Sequence, residues 1–145
     1  MQDLPHHYHV SASAENEGHV TVTADDLPQI VTAPPAEFGG PGDQWSPETL
    51  LVGAVADCFI LTFRAIARAS KLEWTNLKCS AEGVLERVEK TTRFTTITVR
   101  ATLTVPEGTD ADKARRLLEK SEEVCLVTRS MLAEAHLEAD VIVEA

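Results

Sequence analysis

The chain has 145 residues, 23 acidic side chains against 13 basic ones, a formal net charge of -10 at pH 7 and 43% hydrophobic residues. Its length predicts a single domain over residues 1–145, and its negative charge argues against nucleic acid and membrane as partners, since nucleic acid and anionic membrane surfaces both need basic surface. Three cysteines, an odd number with no C-x-x-C pair, make no disulfide scaffold.

Met1 to His9 has neither a basic n-region nor an apolar h-region, so no secretory signal is read and a cytoplasmic protein is expected. His7 to Ser13 alternates loosely and reads as a strand. After the polar turn Glu15-Asn16-Glu17-Gly18, His19 to Thr23 reads as its hairpin partner, and Gln29 to Thr32 as a third short strand. His6, His7 and His9 would point to alternate faces of an extended segment, so no metal site is read there. Phe38-Gly39-Gly40-Pro41-Gly42 lacks a P-loop lysine and reads as flexible backbone rather than a phosphate cradle.

Ser46-Pro47-Glu48 has the chemistry of a helix start: a serine N-cap, proline at the first helical position, and a carboxylate in the first turn, where the helix dipole favours it. From Leu50 to Ala67 the helix is apolar on nearly every face, which predicts a core helix covered on all sides. Asp57, Arg64 and Arg68 interrupt it, and no run reaches the roughly 18 to 20 apolar residues of a membrane span. One small domain has little material to enclose such a helix, and a second subunit would supply the cover. Cys58 lies in this apolar wall, with Glu48 upstream near the helix start.

Leu72 to Val88 and Arg93 to Val105 are extended stretches rich in β-branched residues that should pair antiparallel across Glu89-Lys90-Thr91-Thr92. Cys79, in the first of them, has no evident helper and reads as packing. Thr109 or Asp110 caps a helix running to about Val124; Cys125 follows, then a further helical turn or two, and Val141-Ile142-Val143 is a last strand. The order predicts an α+β fold with antiparallel sheets wrapped around a long buried central helix.

The run Ser46-Pro47-Glu48 followed by Leu50-Leu51, then Ala56-Asp57-Cys58-Phe59, and downstream Glu123-Val124-Cys125-Leu126-Val127-Thr128-Arg129-Ser130, resembles the OsmC/Ohr family of thiol-dependent hydroperoxide reductases. The resemblance extends over most of the chain. It implies an OsmC-like fold and an intertwined homodimer whose sites lie at the subunit interface. It also implies that Cys58 reduces an organic hydroperoxide to an alcohol and becomes a sulfenic acid, that Cys125 resolves it as a disulfide, and that an external dithiol of the lipoyl type restores both thiols. No bound cofactor or metal is implied. Phe38, Phe59 and Phe63 would line a site suited to an apolar peroxide.

In the hydroperoxide-resistance branch an arginine in the first hairpin approaches the thiolate, and a glutamate at the position of Glu48 holds it. Here that turn reads Glu15-Asn16-Glu17-Gly18, without arginine. A buried thiolate needs a cation or donors. Arg64 and Arg68 point to other faces of the helix and suit solvent or an ion pair with Asp57, whereas Arg129, one helical turn after Cys125, is expected near the thiol pair. The site expected is therefore Cys58, Cys125, Glu48 and Arg129. The missing arginine keeps a second reading in view, a weakly active or non-catalytic redox-sensing or binding protein of the same fold.

Overall fold

The computed structural model describes residues 1–145, and the chain divides into two compact units, residues 1–50 and 51–145. In the first, β1 (Ser11–Ser13), β2 (Val20–Thr23) and β3 (Ile30–Thr32) form an antiparallel sheet in the order β1-β2-β3. Ser13 pairs with Thr21 across the Glu15 to Gly18 turn, where Gly18 takes a φ of 92°. The first strand is shorter than the expected His7 to Ser13, because His7 to Val10 find no strand to pair with. The glycine-rich loop is ordered by a 3-10 turn at Ala36–Phe38, closed by the Gly39 amide donating to the Ala36 carbonyl. A Cβ on Gly40 would lie 1.7 Å from the Pro34 carbonyl oxygen, so only glycine fits there.

Helix α1 (Pro47–Ala69) starts where the sequence places it. The Ser46 hydroxyl accepts from the Thr49 amide at 3.1 Å while the Ser46 amide donates to Thr49 Oγ1 at 2.8 Å, a reciprocal cap with threonine in the usual place of glutamate. By length and composition α1 is long and apolar enough to cross a membrane, contrary to the expectation that its charges rule this out. Packing gives it another role. Val55, Phe59, Phe63 and Ala67, at helical spacing, are buried in the core of the second unit, and fully burying a side chain such as Phe59 or Phe63 contributes about 1.5–3 kcal/mol. The helix is not covered on all sides by its own chain, however: Leu51 and Leu61 remain 38% and 50% exposed.

The second unit carries a three-stranded sheet in the order β4-β5-β6, with β4 at Asn76–Val88, β5 at Thr91–Val105 and β6 at Glu134–Val143. β4 and β5 form the expected antiparallel hairpin, closed by a two-residue turn in which Glu89 and Lys90 both take positive φ, the twist that two-residue hairpin turns require. β5 and β6 are parallel, which corrects the expectation of antiparallel sheets throughout. A parallel pair needs a crossover, and residues 106–133, carrying α2 (Ala111–Val124) and α3 (Leu126–Arg129), supply it. Asp110 caps α2, accepting from the Asp112 and Lys113 amides at 3.0 and 3.1 Å. Leu77, Val99, Ala101 and Leu103 of the sheet and Ala114 and Leu118 of α2 complete the core around the α1 stripe.

Candidate active site

Two contacts show which face of α1 meets β4 and the residues leading into it. At one end, a Cβ added to Gly83 would lie 2.8 Å from Val52 Cγ2; at the other, the Phe63 and Trp74 rings meet edge to face at 5.5 Å. Helix and strand therefore run past each other in opposite directions. Val52 and Phe63 share one face of α1, and Cys58 lies roughly 120–140° round the helix from them, off the face that meets the strand. Cys58 is half-buried, and its Sγ lies 3.8 Å from Thr62 Oγ1, one turn on. That hydroxyl can donate to a thiolate.

Cys125 ends α2 and begins α3 with an extended backbone, φ -60° and ψ 113°, which turns the chain between the two helices. Its side chain is 1% exposed. Thr128 Oγ1 donates to the Cys125 carbonyl at 3.1 Å, and the Arg129 amide donates to the same carbonyl at 3.0 Å. Burial pushes the Cys125 thiol up; Thr128 opposes this by hydrogen bonding, and the adjoining Cys58 thiol adds to it. The two expected cysteines are thus neighbours, both as free thiols.

Cys79 is the residue that the sequence reading set aside. It faces the core between Leu77 and Ala81, paired with Ala101 of β5, and its thiol is pushed up to about 11 by burial and then by the charge of Cys125. Cys125 is the one other thiol among the groups that shift it. The alternation Leu77-Cys79-Ala81 was the available signal, since a residue two away from a core leucine in a strand points inward too. Thr62 and Thr128 also escaped that reading, although each stands one helical turn after a cysteine.

Arg129 has its backbone one turn beyond Cys125, but its exposed side chain lines a cavity of about 380 Å³ with Glu122, Thr128, Met131, Ala133 and Ala135. The groups that shift the Cys125 thiol are Thr128 and Cys58, and the guanidinium is not among them. Arg64 and Arg68 are exposed, and no ion pair joins either to Asp57. Glu48, in the first unit, is half-buried, and its Oε1 is inaccessible and without a hydrogen-bond partner in the chain. Phe59 and Phe63, expected as site walls, are 1% and 0% exposed and belong to the core; Phe38, in the first unit, is 60% exposed. No three His, Cys, Asp or Glu side chains converge as a metal ion would require.

The family model of OsmC-like proteins matches residues 40–140. The uncharacterized protein YmaD of Bacillus subtilis is 26% identical over 144 residues, covering 96% of this chain and 95% of its own. Among solved structures, an OsmC-like protein of unknown function from Vibrio cholerae superposes with a TM-score of 0.84 at 16% identity, covering 94% of this chain and 100% of its own. A Legionella pneumophila organic hydroperoxide resistance protein OsmC does so with a TM-score of 0.75 at 25% identity, covering 97% of this chain and 99% of its own. With the fold shared along nearly the whole chain and the family model matching most of it, this chain belongs to the OsmC/Ohr family of OsmC-like proteins.

Proposed function

We propose that this protein is a cysteine-based peroxidase that reduces organic hydroperoxides to alcohols. The adjacency of the Cys58 and Cys125 thiols carries this reading. Its similarity to a Legionella pneumophila organic hydroperoxide resistance protein supports it. The Cys58 thiolate attacks the terminal oxygen of the hydroperoxide. The O–O bond breaks, the alkoxide takes a proton and leaves as the alcohol, and Cys58 is left as a sulfenic acid. Cys125, as thiolate, then attacks the Cys58 sulfur and expels hydroxide, which leaves as water, and a disulfide forms. An external dithiol of the lipoyl type returns both sulfurs to thiols. In this scheme Thr62 donates to the Cys58 thiolate, and Arg129, whose backbone lies one turn beyond Cys125, would have to swing its side chain out of the cavity it lines to serve as the cation that the first hairpin lacks.

The working unit proposed is a cytoplasmic homodimer. Leu51 and Leu61 on the uncovered side of α1 support it, because an apolar stripe left in water marks a surface that another molecule covers.

A specific observation favours a second, slower reading. Cys125 is held as a thiol by burial, with no cation among the groups that shift it, so resolution would be slow and the oxidised protein long-lived, as in a redox sensor. Mixing reduced protein with cumene hydroperoxide, then with hydrogen peroxide, and mapping disulfides by mass spectrometry separates the two. Rapid loss of the organic peroxide, a Cys58–Cys125 bond and dithiol-driven turnover are the result for an enzyme. A single oxidation without turnover is the result for a sensor.

A further inference from the structure

We propose that Thr62 is a catalytic residue whose hydroxyl, rather than any arginine, is what activates Cys58. Its part in turnover rests on the peroxidase reading above. Thr62 Oγ1 lies 3.8 Å from Cys58 Sγ, a hydrogen-bonding distance for a sulfur partner. The two residues are four apart on one face of α1, so the contact is built into a single helix and needs no loop to close over the sulfur. The other helical hydroxyls are engaged with backbone: Thr49 Oγ1 donates to the Ser46 carbonyl at 3.1 Å, Ser121 Oγ to that of Leu117 at 2.7 Å, and Thr128 Oγ1 to that of Cys125 at 3.1 Å. Thr62 makes no such bond, and the Cys58 sulfur is its one hydrogen-bond partner in the chain.

A threonine hydroxyl has one proton and two lone pairs. While Cys58 is a thiol, either group can donate to the other. Once the sulfur has ionised it can only accept, so the Thr62 proton turns toward it, and a hydrogen bond to the charged form favours that form. This donor suits a sulfur with no cation fixed beside it: the first hairpin reads Glu15-Asn16-Glu17-Gly18, Arg64 and Arg68 are exposed, and Arg129 lines a cavity of its own. In the attack an electron pair of the thiolate forms the S–O bond, the O–O bond breaks, and the alkoxide takes its proton from water. Thr62 keeps its own proton throughout and meets the thiolate again once the dithiol has restored it.

The thiolate is the attacking species, so whatever favours it speeds Cys58 while ionisation is incomplete. Removing one neutral hydrogen bond to it should slow Cys58 at neutral pH by about 3- to 10-fold. At high pH the sulfur is ionised with or without Thr62, and a thiolate without a donor is at least as nucleophilic as one that has it. A deficit that closes as pH rises is therefore the mark of this role. A residue that only packs would give a deficit of constant size, or none.

The test compares reduced wild-type, Thr62→Val and Thr62→Ser proteins, the first variant keeping the shape of the side chain without its hydroxyl and the second keeping the hydroxyl. Each is treated with iodoacetamide from about pH 6 to about pH 10, and alkylation of Cys58 is followed by peptide mass spectrometry, which reads this sulfur apart from Cys79 and Cys125. Thr62→Val is expected to be about 3- to 10-fold slower at neutral pH and to draw level with wild type at the alkaline end, with Thr62→Ser close to wild type throughout. Should valine disturb the helix, Thr62→Ala with native circular dichroism takes its place. A neutral rate equal to wild type, a deficit of the same size at every pH, or a Thr62→Ser protein as slow as Thr62→Val overturns the proposal. So does an Arg129→Ala protein that carries the whole deficit while Thr62→Val carries none. Consumption of one equivalent of cumene hydroperoxide should fall in the same order; Thr62→Val equal to wild type in this first turnover refutes the catalytic role. If wild type consumes no peroxide, the peroxidase reading fails, and alkylation still decides whether Thr62 holds the thiolate.

Discussion

Gly83→Ala is the sharpest probe of how α1 is seated. The added Cβ would lie 2.8 Å from Val52 Cγ2 and 2.9 Å from Phe94 Cε1, inside contact distance on two sides. Overpacking of this kind costs about 1–3 kcal/mol. Gly83 is not among the glycines with positive φ, so alanine also restricts the unfolded chain and returns about 0.4–1 kcal/mol. The net expectation is a loss of about 1–2 kcal/mol, which in a chain of this size lowers Tm by roughly 3–8 °C. Urea unfolding followed by Trp74 fluorescence measures it, since Trp74 packs on Phe63 of the same helix. Val52→Ala removes the clashing methyl, so Gly83→Ala combined with Val52→Ala should lose less than the two single losses added together, by about 1 kcal/mol. Strict additivity, or a Gly83→Ala protein as stable as wild type, would refute the seating of α1 on β4 described above.

Cys79 is protonated in the folded chain up to about pH 11, whereas its ordinary value is 9.0, so between these values the unfolded state binds fewer protons and stability falls as pH rises. The loss is absent below about pH 8, and Cys79→Ala should flatten the difference between urea midpoints at about pH 8 and about pH 10. Asp110→Ala should cost about 1 kcal/mol by removing the acceptor for the Asp112 and Lys113 amides, and Asp110→Asn much less, both read from thermal unfolding. Leu61→Glu should shift the proposed dimer to monomer in sedimentation, because it puts a charge on the uncovered side of α1; an unchanged mass would place the interface elsewhere. Arg129→Ala should slow Cys58 oxidation by cumene hydroperoxide, and an unaltered rate would remove this residue from the mechanism.

Where local chemistry decides structure, the sequence was readable. Ser46 and Asp110 begin their helices, and the β4–β5 hairpin closes near the turn expected for it. β6 shows where that approach loses signal. Ala135, Leu137, Ala139 and Val141 turn inward while Glu134, His136, Glu138 and Asp140 turn out, a complete alternation. Its inward side is built half from alanine, too small to stand out in a hydrophobic pattern, so only Val141 to Val143 was read as strand. The parallel pairing with β5 had no local signature at all, because direction is settled by the crossover between the strands. At the site, Cys58 and Cys125 were legible through resemblance, whereas Cys79, read as packing, does pack against the core from its strand. Arg129 was placed by helical spacing, which fixes where its backbone goes but not where a long flexible side chain ends.

Because β6 lies beside β5 in the same direction, residues 106–133 must fold back across the unit before the final strand can be laid down. Pairings between distant parts of a chain form slowly. Cys125 travels on that returning segment, so during synthesis Cys58 emerges and waits without its partner until that segment has been made. A peroxide that reaches the nascent chain in this interval meets a sulfur with nothing to resolve it, and can drive it toward the irreversible sulfinic state. The order of the strands thus makes the newborn protein more vulnerable than the finished one to the compounds proposed as its substrates.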